Sequence, residues 1–177
     1  MIALGIDPGI RWTGIAWVDT HPIKLLATRL LEHPHDAGKL DGLVLYHPKA
    51  IEAKETLISA FFQGVSGISP MDLIVIEYPV AFARAAGNMI KVAFMAGQIL
   101  NSFVMLYPCA TVRVSSAHKN GWRKFYGQDF DPKWKCEELF GLEKTTSLSA
   151  HEIDAALMGY AAAMKLDSKT SHLGGVK

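Results

Sequence analysis

Apolar and polar positions along the chain change period several times, and each change marks an element. Residues 1–6 form an apolar run halted by Asp7-Pro8-Gly9, which reads as a buried strand. Residues 13–18, with Gly14 inside them, and residues 23–31 read as two further strands, and the short joins predict an antiparallel meander. Residues 73–77, Leu-Ile-Val-Ile-Glu, are short and continuous in the manner of a strand buried on both faces, and residues 111–114 predict another. Helical spacing appears over 48–63, where Pro48 suits a first turn and Ile51, Leu57, Ile58, Phe61 and Phe62 share a face. It returns over 88–107 and 150–165, with short helices expected over 118–126 and 133–140. Residues 32–47 and 80–87 read as loops, and 167–177 as a polar, flexible tail. The order predicts one α/β domain over 1–166, with a mixed five-stranded sheet (three antiparallel strands, then two parallel) and helices on both faces.

Composition narrows the class without choosing a function. Half of the 177 residues are hydrophobic and a fifth are charged, which excludes a disordered chain. The net charge of +1 neither requires nor excludes a polyanionic partner, because local clusters decide that. Cys109 and Cys136 lack Cys-x-x-Cys spacing and read as reduced, buried thiols and not as zinc ligands. Met1–Asp7 has no basic stretch ahead of its apolar run, and Lys91, Gln98, Asn101 and Ser102 interrupt the most hydrophobic segment. These features lead us to expect a cytoplasmic protein.

The candidate chemistry lies where apolar runs end. Asp7 and Glu77 each close a predicted buried strand, and Asp154 lies in the first turns of an Ala-rich helix. Carboxylates at such ends are costly to desolvate without partners, and three converging ones are most simply balanced by divalent metal ions. His151 and Asp154 are three residues apart and share a helical face, while Ala155, Ala156, Ala161 and Ala162 would let that helix press on the first strand. The plainer readings are a turn at Asp7, a surface Glu77, and a helix-capping Asp154. The glycines around Asp7 would allow a phosphate backbone to approach. An Asp-x-Gly turn also occurs in sugar kinases and actin-like ATPases, but those need two lobes and a longer chain.

Taken together, Ile6-Asp7-Pro8-Gly9 with Thr13-Gly14, the strand ending in Glu77, and His151-Glu152-Ile153-Asp154-Ala155-Ala156-Leu157 resemble the RuvC family of Holliday-junction resolvases, in the RNase H-like (retroviral integrase) superfamily. The resemblance covers most of residues 1–164. It implies an RNase H-like fold and a catalytic, metal-binding set of Asp7, Glu77, His151 and Asp154 holding two Mg²⁺ ions, with Mn²⁺ as a substitute. Asp7 would bridge the ions, and His151 would either ligate one or orient the attacking water. The implied activity is paired symmetric nicking of four-way DNA junctions by a homodimer, leaving 5′-phosphate and 3′-hydroxyl ends. The long interval between Asp7 and Glu77 looks like a phage-type member. Alternatives on the same fold are a broader fork or flap nuclease and an RNA-processing nuclease; a DNA-binding module with a dead site is a rival from another class.

The partner surface is expected in residues 113–135, where Arg113, Lys119, Arg123, Lys124, Lys133 and Lys135 alternate with Trp122, Phe125, Tyr126, Phe130 and Trp134. Cations neutralise phosphates and aromatic rings stack on unpaired bases, so Lys119, Arg123 and Lys124 are the expected DNA contacts. The plainer reading packs those rings onto the domain. Phe82 and Arg84, in the loop after Glu77, are expected at the junction's exchange point by the resemblance, Phe82 as a wedge. Apolar residues on more than one face of the 88–107 helix suggest a dimer interface or burial under the 48–63 helix.

Overall fold

A computed structural model of the chain describes residues 1–9, 11–32, 71–78, 92–93, 96–97, 99–101, 110–115, 121–127, 129–143 and 147–173. The strands are β1 (Ile2–Pro8), β2 (Trp12–Thr20), β3 (Ile23–Glu32), β4 (Leu73–Tyr78) and β5 (Ala110–Ser115). They form one mixed sheet in the order β3-β2-β1-β4-β5. The first three pair antiparallel, while β4 lies parallel to both β1 and β5. A 3-10 turn (Trp122–Phe125) and two helices follow, α1 (Pro132–Phe140) and α2 (Ala150–Leu173).

Strand alternation sorts the side chains into two layers. Ala3, Ala16, Val18, Leu73 and Val75 pack against α2, together with Ala155, Ala156, Leu157 and Met158. Leu4, Ile6, Ile15, Trp17, Ile74 and Ile76 face the other way, onto the helical residues Ala96 and Ile99. The period of two therefore puts Asp7 and Glu77, which continue the Ala3 and Leu73 series, on the α2 face. Pairing of Ile6 with Ile76 brings these two carboxylates to adjacent strand ends.

Backbone contact holds α2 on this face. A Cβ on Gly5 would lie 1.9 Å from the Ala155 carbonyl oxygen, and one on Gly14 would lie 2.1 Å from that of His151. The expectation that these glycines admit a phosphate backbone is therefore corrected: Gly5 and Gly14 admit the backbone of α2. The alanines serve the purpose expected of them, since Ala155, Ala156 and Ala161 are almost wholly buried.

The start of α2 is set by a capping box. The Ser149 N–H donates to Glu152 Oε2 at 3.0 Å, and the Glu152 N–H donates to Ser149 Oγ at 3.3 Å. Capping thus falls to Glu152 and not to Asp154, which is free for other work. The helix also runs on to Leu173, beyond the expected end at 165, and Leu166 packs on the core. The predicted helix over 48–63, the loops over 33–47 and 80–87, most of the 88–107 helix, and residues Phe82, Arg84, Cys109 and Lys119 lie outside the described residues. No helix among the described residues is long and apolar enough to cross a membrane.

Candidate active site

Four elements meet at the C-terminal ends of β1 and β4, and each brings a candidate side chain. Asp7 comes from β1, Glu77 from β4, His151 and Asp154 from the first turns of α2, and Trp122 and Arg123 from the 3-10 turn. Crevices at the carboxyl ends of parallel strands are the usual place for ligands in open α/β sheets.

Asp7 is only 8% exposed. Its Oδ2 lies 2.6 Å from His151 Nδ1. That hydrogen bond, offset in part by burial, raises the imidazole above its ordinary range. Gly9 sits beside the same ring, since a Cβ there would lie 3.2 Å from His151 Cε1.

Glu77 is pushed from 4.5 up to about 8. Burial is the largest cause, followed by a hydrogen bond shared with Asp7 and by the charges of Asp7 and Asp154. The Trp122 indole N–H opposes this, donating to Glu77 Oε1 at 3.3 Å. Asp154 is raised to about 6, mainly by burial and by the Asp7 charge, against the pull of Arg123. The Arg123 guanidinium is paired directly with the Asp154 carboxylate. Three neighbouring acids, Asp7 buried and Glu77 and Asp154 partly so, thus have two basic partners, His151 and Arg123.

The donor set suits a hard divalent cation, being mostly carboxylate oxygen with one imidazole. The raised acids point the same way, because a nearby dication would favour their charged forms. Among the described residues, no three His, Cys, Asp or Glu side chains stand at metal-holding separations. Each of the site's acids engages another side chain: Asp7 pairs with His151, Glu77 with Trp122, and Asp154 with Arg123.

The basic, aromatic stretch divides in two. Trp122, Tyr126 and Phe130 belong to the core, with ring centroids 5.1–6.3 Å apart. The Tyr126 hydroxyl donates to the Leu157 carbonyl at 2.6 Å, which ties the 3-10 turn to α2. For these three rings the plainer reading applies. Phe125 and Trp134 are exposed, as are Lys124 and Lys133. Arg123, expected on DNA, lies inside the acidic site. Trp122's bond to Glu77 had no signal in the sequence, whereas the Ser149-x-x-Glu152 capping box was there to be read.

No protein-family model matches the chain, and no curated protein matches it. Solved structures do. The chain is similar to Thermus thermophilus RuvC in complex with Holliday junction substrate, at 14% identity and a TM-score of 0.72, over 96% of this chain and 97% of that one. Thermus thermophilus RuvC in a second structure gives 17% identity and a TM-score of 0.66, over 96% and 98% of the two chains. The yeast mitochondrial Holliday junction resolvase Ydc2 gives 13% and 0.59, over 96% and 82%. The structural relatives of this chain are thus RuvC and other Holliday junction resolvases, whose α/β fold with a mixed sheet and flanking helices it shares.

Proposed function

We propose that the protein is a metal-dependent endonuclease that resolves four-way DNA junctions. The observation that carries this reading is the meeting of Asp7, Glu77, Asp154 and His151 at the strand ends of this fold. The nature of the structural relatives supports it, since one is held with Holliday junction substrate and another is a mitochondrial Holliday junction resolvase. Two Mg²⁺ ions, when bound, would supply the activated water and stabilise the leaving 3′-oxygen, giving 5′-phosphate and 3′-hydroxyl ends.

The chain's own residues fit that task. Asp7 on β1, Glu77 on β4 and Asp154 on α2 would together hold the ions. His151 Nδ1 orients the Asp7 carboxylate, which leaves its Nε2 edge beside Gly9 to face an incoming strand. Exposed Lys124 and Lys133 supply phosphate contacts, with Lys119 and Arg84 as further candidates and Phe82 as the candidate wedge, all three outside the described residues. Two symmetric cuts call for two sites related by a two-fold axis, hence a homodimer.

The test compares a labelled immobile four-way junction, a Y-fork and a linear duplex, in Mg²⁺ and in EDTA. Paired nicks on the junction should vanish in EDTA and fall on the order of 10²–10³-fold in Asp7→Asn, whose fold and junction binding persist. Equal cutting of forks and flaps would move the protein to general debranching. Cutting of RNA alone would favour the RNA-processing reading. Full activity of Asp7→Asn would end the assignment.

A further inference from the structure

Two neighbouring residues of one 3-10 turn each take a different acid of the site. Trp122 donates to Glu77, and Arg123 pairs with Asp154. The turn is anchored, since Trp122 is 3% exposed and the Tyr126 hydroxyl is bonded to the Leu157 carbonyl. The guanidinium carbon of Arg123 lies 4.5 Å from the centroid of the Trp122 ring. Arg123 is therefore a fixed positive charge set against an acid that a divalent ion would need. It also borders a second space. An open groove of about 380 Å³ runs beside Asp154, lined by Arg123 and Lys133, by the acid Asp131, whose carboxylate is turned to the first N–H groups of α1, and by Pro132, Leu148 and Ile153 among others.

We propose that Arg123 is a placeholder cation: it holds Asp154 until a divalent ion takes its place, and the released guanidinium then turns into the adjoining groove to bind a phosphate of the DNA strand. The inference rests on the metal-site reading above and deepens it. A guanidinium stays charged at any working pH, so it cannot leave Asp154 by losing a proton and must be exchanged for another cation. One unit charge balances one acid, whereas a dication balances the cluster, so the exchange runs forward when the ion is abundant. The side chain then needs a new anion within reach, and the groove already carries Lys133 at its rim. Helix N-termini are not the anion sites here. Asp131 takes the first N–H groups of α1, and the capping box occupies α2. Ion binding and strand binding thereby favour each other, each to the same degree.

Mn²⁺ titration of the full chain without DNA, with free Mn²⁺ followed by electron paramagnetic resonance, tests this directly. Arg123→Ala and Arg123→Gln should bind Mn²⁺ on the order of tenfold more tightly than wild type, and Arg123→Lys should stay near wild type. A second readout is affinity for a four-way junction in Ca²⁺ against EDTA. Wild type should gain affinity with Ca²⁺, and Arg123→Gln should lose most of that gain. Asp7→Asn is the control that separates the two ideas. If Asp7→Asn loses Mn²⁺ while Arg123→Gln binds it no better than wild type, the placeholder is overturned and the metal site stands. If Asp7→Asn binds Mn²⁺ as wild type does, or no protein binds it, the metal site itself is overturned.

Discussion

The two sides of the acidic site are fastened by different means. On the Asp7 side, α2 lies on β1 and β2 backbone to backbone, at Gly5 and Gly14, and His151 is delivered to Asp7 by that contact. On the Glu77 and Asp154 side, the 3-10 turn reaches the acids only through the Trp122 and Arg123 side chains. Backbone contact has no intermediate setting: either the helix sits at that depth or the sheet is not covered. Side-chain contacts can be exchanged for a ligand without disturbing the core. The site thus joins a rigid wall to a replaceable one.

The wall offers the largest effect. Gly14→Ala would force a Cβ to 2.1 Å from the His151 carbonyl oxygen, and Gly5→Ala one to 1.9 Å from that of Ala155. Both neighbours are backbone and cannot turn aside, so α2 must lift. We expect each substitution to cost about 3 kcal/mol or more, read by urea denaturation. A loss within about 0.5 kcal/mol, the ordinary scatter of surface substitutions, would show that α2 is not fixed through these glycines.

The strands and α2, with the acids they carry on both sides, are the more legible part of the sequence, and the 3-10 turn is the less legible. Leu4, Ile6, Ile74 and Ile76 form apolar runs that end at Asp7 and Glu77, so the strands and their acids could be read together. His151 and Asp154 share a helical face by spacing alone. What spacing does not tell is which backbone approaches a glycine, and so Gly5 and Gly14 suggested a phosphate where a helix lies. The 3-10 turn was hidden for a different reason. Arg123 and Trp122 are the residue types that bind nucleic acid, and sequence alone does not distinguish a guanidinium kept for phosphate from one paired with Asp154. The end of α2 was set too early because its polar residues past 165 concealed Leu166, which packs on the core.

Glu77 permits a test of intermediate size. Its carboxyl rises from 4.5 to about 8, so in that interval the folded protein keeps a proton that the unfolded chain releases. Stability therefore falls as pH rises through the interval, and below it Glu77 contributes no pH dependence. Asp154 acts with the same sign between its ordinary 3.8 and about 6. His151 works through its own raised value: its stabilisation is complete below 6.5 and is lost as pH rises through the folded-state value. Glu77→Gln keeps an acceptor for Trp122 and a donor for Asp7 but cannot ionise. In EDTA at about pH 9 it should melt roughly 3–6 °C above wild type, and near pH 4 the two should coincide. Equal melting at both pH values would mean that Glu77 ionises without penalty, and the buried acid cluster would lose its electrostatic basis.

The smallest expected effect lies in the replaceable side and concerns Trp122→Phe. Phenylalanine retains an aromatic ring against Tyr126 and Phe130 but removes the indole N–H that donates to Glu77. The lost bond should cost about 1 kcal/mol. Because that bond lowers the Glu77 pKa, its removal should move the Glu77 midpoint above about 8. Arg123 should also lose part of its attraction to the ring, on the order of 0.5 kcal/mol, and hold Asp154 less firmly. A carboxyl-carbon NMR titration in EDTA separates these effects, since packing alone would lower stability and leave the Glu77 midpoint in place. A midpoint that moves up, together with tighter Mn²⁺ binding, would identify the 3-10 turn as the part of the site that yields to the ion. A stability loss with an unmoved midpoint would make the turn a piece of core that happens to touch the acids.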